Sequence, residues 1–398
     1  MKQVQFEEVL KEPIRNGLTK PKAIRGSGVK MISMGEIFAH NRISKIAMDR
    51  VPVTDKEFSN CSIKAGDLLF ARQSLVLDGA GKCSIVTEVT EDTVFESHLI
   101  RARIDGKKAN PYFLYYYFNS HEGRENIKTI VEQVAAAGIR GSDLIKLWIP
   151  CPDIDIQNQV ASILDAVDRK IELNRKVNDN LEQQAATYFQ ELFINNANPV
   201  WQISTISDLG TVVGGSTPSK TKPEYYTNNG IAWITPKDLS INKSKFISHG
   251  ENDITELGLK NSSATVMPKG TVLFSSRAPI GYIAIASNEV TTNQGFKSVI
   301  PYSEIGTAFV YFFLKHSLPV IESAASGSTF KEISGSAMKN IPAIIPDRNT
   351  LDQFNSFCAP IFAQQKILEE QNHSLAMLRD SLLPKLMSGA IDIASIQL

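Results

Sequence analysis

The chain repeats itself once, and that constrains its fold more than any single motif does. "SGVKMISMGEI" (27–37) aligns with "NGIAWITPKDL" (229–239), pairing Gly28 with Gly230 and Ile32 with Ile234. "KAGDLLFAR" (64–72) aligns with "PKGTVLFSSR" (268–277) if the second copy holds one extra serine. "NPYFLYYYFNS" (110–120) aligns with "GTAFVYFFLKH" (306–316), and "LWIPCPDIDIQNQ" (147–159) with "IPAIIPDRNTLDQ" (341–353). Residue 27 matches 229 and residue 147 matches 341, so the offset drifts only from 202 to 194. A solenoid repeats every 20–50 residues or so, far less than this. The pattern implies a duplicated domain, each copy followed by a helix.

Each copy reads as α/β, mixed α+β in detail. Short apolar runs such as "DLLFA", "CSIVTEV", "TVLFSS" and "YIAIAS" suit strands, broken by Gly, Asp and Asn turns. "YFLYYYFNS" and "AFVYFFLKH" suit a buried helix, started in the first copy by Asn110 as N-cap and Pro111 at the first helical position.

The helix after each copy carries a seven-residue stripe. Val160, Val167, Asn174, Leu181 and Tyr188 match Phe354, Ile361, Leu368, Leu375 and Leu382. A second, partly filled seam is expected at Ile163 and Val177, and at Phe357 and Leu378. Such a stripe argues for a two-helix coiled coil; one helix packed on a globular core is the alternative. Only the six residues "NNANPV" separate the first helix from the second copy. The second helix is therefore expected to run back beside the first, antiparallel, with two similar globular ends related by an approximate twofold axis. The implied boundaries are 1–152, 153–196 (helix), 197–348 and 349–398 (helix). Asn174 has Leu368 as its counterpart in this alignment; it either fixes register or sits in an open, wet part of the seam. Pro384 is expected to break or kink the second helix near Leu383, with a short turn ended by Gly389.

Composition excludes little but usefully. The hydrophobic share is 42%, the charged share 21%, and 42 basic residues balance 42 acidic ones. That is the profile of a soluble globular protein, with no signal peptide and no membrane-length apolar run, and it points to the cytoplasm. Cys61, Cys83, Cys151 and Cys358 have no paired spacing and read as small buried hydrophobes in a reducing compartment.

Catalytic signatures are missing. "NPYF" (110–113) lacks the second proline of a methyltransferase Asn-Pro-Pro-Tyr loop and is read as a helix cap. "GAGK" (79–82) lacks the rest of a phosphate loop and is read as a turn. The six histidines show no metal spacing. No catalytic, cofactor or metal residue is expected.

Binding remains. Lys11, Arg15, Lys20, Lys22, Arg25 and Lys30 stand against one acid, Glu12. The second copy has Lys220, Lys222, Lys237, Lys243 and Lys245 against Glu224 and Asp238. These stretches are rich in Gly, Ser, Thr and Pro, so they are loops, suited to DNA: cations for phosphates, Ser and Thr (Ser216, Thr217) for base edges. A solvated lysine-rich surface is the competing reading. Arg72, with Gln73 beside it, and Arg277 end the aligned strands and point either into a groove or at a structural ion-pair partner. Residues 151–200 carry eight acids and four bases, a better protein surface than DNA surface.

Taken in order, "GDLLFAR"/"GTVLFSSR", the "IPCP…Q"/"IIP…Q" helix starts, "VGGSTPSK" (213–220), "GSTFKEIS" (327–334) and the terminal "LLPKLMSG" resemble the specificity subunits of type I restriction–modification systems. In the first copy "NGLTKP" and "AAAGIRGSDL" are looser counterparts. The resemblance implies two target recognition domains, each reading half of a bipartite double-stranded DNA target, with the helices setting the gap. It also implies a subunit without catalysis that docks two modification (methyltransferase) subunits using S-adenosylmethionine, in a complex completed by ATP- and Mg-dependent restriction subunits. A protein-binding scaffold and a self-contained methyltransferase or nuclease are the other readings.

Overall fold

The structure is a computed structural model and describes residues 2–133, 137–327 and 331–391. The chain divides into two compact units, Met1–Ile171 with Ser374–Leu398, and Glu172–His373.

In the first unit a five-stranded sheet runs in the order Arg15–Asn16, Leu99–Ala102, Leu68–Ala71, Cys83–Val86, Arg42–Ile43. Its pairs are antiparallel except the last, which is parallel. A second, three-stranded sheet holds Asp49–Val51, Val29–Ile32 and Thr93–Phe95. A short ribbon joins Gln3–Gln5 to Trp148–Pro150. "LLFA" and "CSIV" are buried throughout because both faces of this sheet are covered, by two separate apolar clusters.

The other unit repeats this plan. Its five strands follow the same order: Gly210–Gly214, Lys297–Pro301, Val272–Ser276, Ile280–Ala286, Phe246–Ile247. The last pair is again parallel. The second sheet and the ribbon (Gln202–Thr205 with Pro342–Ile345) recur as well. The "YFLYYYFNS" helix forms over Pro111–Asn119, where Asn110 Oδ1 accepts from the amides of Tyr112 at 2.8 Å and Phe113 at 3.2 Å. "NPYF" is therefore a helix cap. "GAGK" closes a turn, with Gly81 at φ 67°.

The two long helices span Ile154–Gln190, extended by a wider turn over Glu191–Asn195, and Arg348–Ser388. Asp347 caps the second, accepting from the Thr350 amide at 3.1 Å and hydroxyl at 2.8 Å. Within each unit the helices pair antiparallel. In the first, Asp168 meets Arg379 at 2.8 Å, and Val160 and Leu164 share a core with Leu386 and Met387. In the other, Asn174 bonds Asn372, Gln365 bonds the Asn178 carbonyl, and Tyr188 packs on Phe354 and Phe357.

Two expectations about the helices are corrected. The second seam does not lie at Val177, Phe357 and Leu378, which are 46%, 40% and 47% exposed. It lies four residues after the first stripe, at Leu164, Ile171, Asn178 and Ala185, and at Cys358, Gln365, Asn372, Arg379 and Leu386. Four of those nine positions are polar, which hid the period. Nor does Pro384 break the helix, which continues to Ser388 and ends at Gly389 with φ 73°. An internal proline costs about 3 kcal/mol. Leu386 and Met387 are buried in the first unit's core, each worth about 1.5–3 kcal/mol, and that offsets it.

Candidate nucleic-acid interface

In the second unit, polar loops gather at one end of the strands. The Ser216 amide donates to the Thr292 carbonyl at 2.8 Å, and the Thr217 hydroxyl bonds the Gln294 side chain. Trp233 Nε1 holds the Ser216 carbonyl at 3.0 Å, and the Tyr226 hydroxyl holds that of Pro218 at 2.6 Å. A Cβ on Gly215 would sit 2.0 Å from the Asn293 carbonyl oxygen, so only glycine lets the loop lie this close. The Ser276 amide donates to Gly295 at 2.8 Å, which brings Arg277 beside the same turn. Arg277 and Lys297 both meet Glu332, at 3.2 and 3.6 Å. Residues 328–330 of "GSTFKEIS" lie outside the described residues.

The first unit builds the same cluster. The Leu18 amide donates to Phe95 at 2.8 Å, and Arg72 donates its amide to His98 at 2.8 Å. A Cβ on Gly17 would also sit 2.0 Å from a carbonyl oxygen, that of Phe95. Gly17 thus corresponds to Gly215, and "NGLTKP" to "GGSTPSK".

The register corrects one alignment. Ile139 donates to the Arg72 carbonyl as Ile333 does to that of Ser276. Gln73 pairs with Gly138 as Arg277 pairs with Glu332. Arg72 therefore corresponds to Ser276 and Gln73 to Arg277, with no inserted serine. The arginines looked equivalent because each follows a similar apolar run.

Most of the candidate cations are already paired. Lys20 meets Glu57, Arg25 meets Asp49 and Lys30 meets Glu91, each at 2.8 Å. Lys222 lies 3.9 Å from Glu224, and Lys237 2.6 Å from Glu251. Lys22, Lys220 and Arg72 make no side-chain ion pair among the described residues. The Lys222 and Lys237 pairs are exposed and contribute about 0–1 kcal/mol, so a phosphate can compete for those two cations. Glu12 is consumed differently: Arg101 and Arg103 hold it at 2.5 and 3.0 Å. Lys245 leaves the group altogether. It is 7% exposed and faces the long helices, because three aromatic rings and a carboxylate receive it there.

Sequence reading missed the "TTNQG" side of the cluster, Thr291–Gly295. It carries no charge, so a search for basic loops passes over it; its one signal is a run of amides and hydroxyls ending in glycine. Among the described residues no helix is long and apolar enough to cross a membrane, and no cluster of His, Cys, Asp and Glu suits a metal.

Known proteins share this architecture. A crystal structure of the type I restriction–modification S subunit from M. genitalium matches with a TM-score of 0.61 at 16% identity, covering 97% of this chain and 95% of that one. The specificity subunit of the HindI type I enzyme of Haemophilus influenzae is 23% identical over 83% of this chain and 87% of its own length. That of the MjaIX enzyme of Methanocaldococcus jannaschii is 43% identical over 162 residues, spanning 40% of this chain but 37% of that subunit. The family model described as the type I restriction modification DNA specificity domain matches twice, over residues 3–183 and 199–372. The chain therefore belongs to the type I restriction–modification specificity family and carries its DNA specificity domain in two copies.

Proposed function

We propose that this chain is the DNA sequence-recognition subunit of a type I restriction–modification complex. Each unit reads one half of a bipartite duplex target, and the paired helices fix the number of unread base pairs between the halves. The observation that carries this is the twofold match of one specificity-domain family, with the same glycine-dependent loop cluster built in each copy. Ser216, Thr217, Gln294 and Arg277 in the second unit, and Thr19, Arg72 and Gln73 in the first, offer hydroxyl, amide and guanidinium groups of the kinds that read base edges. Lys20, Lys22, Arg25, Lys30, Lys220, Lys222 and Lys237 supply phosphate contacts around them. The exposed sides of the long helices receive the modification subunits. S-adenosylmethionine, ATP and Mg then belong to the partner subunits, and the chemistry is theirs.

Footprinting of the assembled complex on its cognate duplex tests this. The expected result is two short protected segments with a fixed unprotected gap, weakening as salt rises. One continuous site, or no protection at low salt, contradicts it.

A further inference from the structure

In each unit a cation at the edge of the main sheet is drawn in against the long helices, where its function as a DNA reader does not use it. In the second unit Lys245 precedes the edge strand Phe246–Ile247. Its ammonium bonds Glu182 on the first long helix, and Gln365 on the second at 2.6 Å. It lies 4.1 Å from the Phe362 ring centre and 4.7 Å from that of Tyr311. The backbone amides of Lys245 and Phe246 donate to Glu369 of the second helix at 2.8 and 3.1 Å. Lys315 and the Tyr311 hydroxyl meet Glu182 at 2.6 and 3.1 Å.

In the first unit the edge strand is Arg42–Ile43. Arg42 meets Asp165 on the first long helix at 2.8 Å and stands 4.0 Å from Asp168. The Tyr116 hydroxyl donates to Asp168 at 2.8 Å, and Arg379 on the second long helix holds that same carboxylate at 2.8 Å.

The chemistry is shared but the residues are not. By strand register Phe246 corresponds to Arg42, since each pairs with the strand beside it at the equivalent position. Lys245 therefore corresponds to Asn41. The acids differ too: in the first unit Asp165 and Asp168, both on the first helix, face the guanidinium, whereas in the second Glu182 on the first helix meets the ammonium and Glu369 on the second accepts from the strand's backbone amides. A feature inherited passively through duplication would keep its positions. Here the two copies hold the contact with different residues, each at the edge strand that meets the long helices. A buried ion pair is weak evidence of stability, and its best-attested use is to fix a geometry.

We propose that Arg42 and Lys245 are positioning residues, each keying the edge strand of its recognition sheet to the helix pair and so holding the half-site reader at one angle, which sharpens the gap between half-sites. This rests on the function proposed above. An apolar contact alone tolerates sliding; a cation fixed by carboxylates on the helices does not.

The test uses the full chain in its complex, once the target is known, with duplexes whose gap is native or changed by one base pair. The variants are Lys245→Met, and Lys245→Met with Glu182→Gln and Glu369→Gln, which leaves only Lys315 charged in the cluster, with its side chain 43% exposed to solvent. The native chain is expected to prefer the native gap by at least about tenfold, the scale of one mismatched base pair, and the triple variant by under about threefold, with binding to the native duplex within about threefold. Retained tenfold preference in the folded triple variant overturns the positioning role. So does failure of the triple variant to fold, which would mark the cluster as a requirement of the fold. A native chain without a two-part target removes the functional reading, and this inference with it.

Discussion

Asn174 on the first long helix donates its side-chain amide to Asn372 on the second at 3.0 Å, and is only 2% exposed. Gln371 accepts from the same amide at 3.4 Å. Of the two sequence readings of Asn174, the wet one is thereby excluded: the amide is inside the seam and partnered across it. A buried amide at a seam position fixes register at a cost in stability. Asn174→Leu is expected to raise stability by about 1 kcal/mol in urea unfolding while weakening the preference for one register, seen as faster amide exchange in the flanking turns. A loss of about 2 kcal/mol instead would show the amide network to be a net source of stability.

Gly215 and Gly214 make a matched pair of tests. A methyl at 215 would sit 2.0 Å from a backbone oxygen, whereas one at 214 meets nothing within 4 Å. Gly215→Ala should displace the Ser216–Thr217 loop and weaken target binding at least about tenfold, with far-UV circular dichroism unchanged. Gly214→Ala should bind like the native chain. Equal effects from both would mean that the loop does not read DNA.

Pro384 interrupts no helix but still lacks an amide proton. Pro384→Ala is expected to stabilise the first unit by up to about 3 kcal/mol, read as a raised thermal midpoint. An unchanged midpoint would mean that the surrounding turn already compensates for the missing bond.

The four thiols should separate cleanly. Burial pushes the Cys358 thiol up to about 12 and raises Cys83 and Cys61 as well. Cys151 is half-buried, with its sulfur 3.5 Å from Gln157 Nε2. Brief alkylation at pH 7.5 should label Cys151 first, and the other three only in denaturant. Early labelling of Cys358 would contradict its placement under the second unit's core.

The duplication, the long helices and two helix ends were legible because they rest on backbone rules and apolar periods: Asn110 with Pro111 at the start of the buried helix, Gly389 after the second long helix, and the stripe from Val160 to Tyr188. The second seam was not, because Asn178, Gln365, Asn372 and Arg379 carry it and polar residues leave no hydropathy period. The loop regions were legible from their Gly, Ser and Thr content. Individual roles were not. Lys245 has the same composition signature as Lys220, and only the fold separates a buried key from an exposed cation. Arg72 and Arg277 matched as letters, yet strand register pairs them with Ser276 and Gln73.

The account's central claim is that two like readers act on two separated half-sites. Sequencing the modified bases in cells that carry this system measures that directly. The account predicts modified adenines in a motif of two short specified segments with a constant unspecified gap. A single uninterrupted motif, or two segments with a gap that varies from site to site, would contradict it.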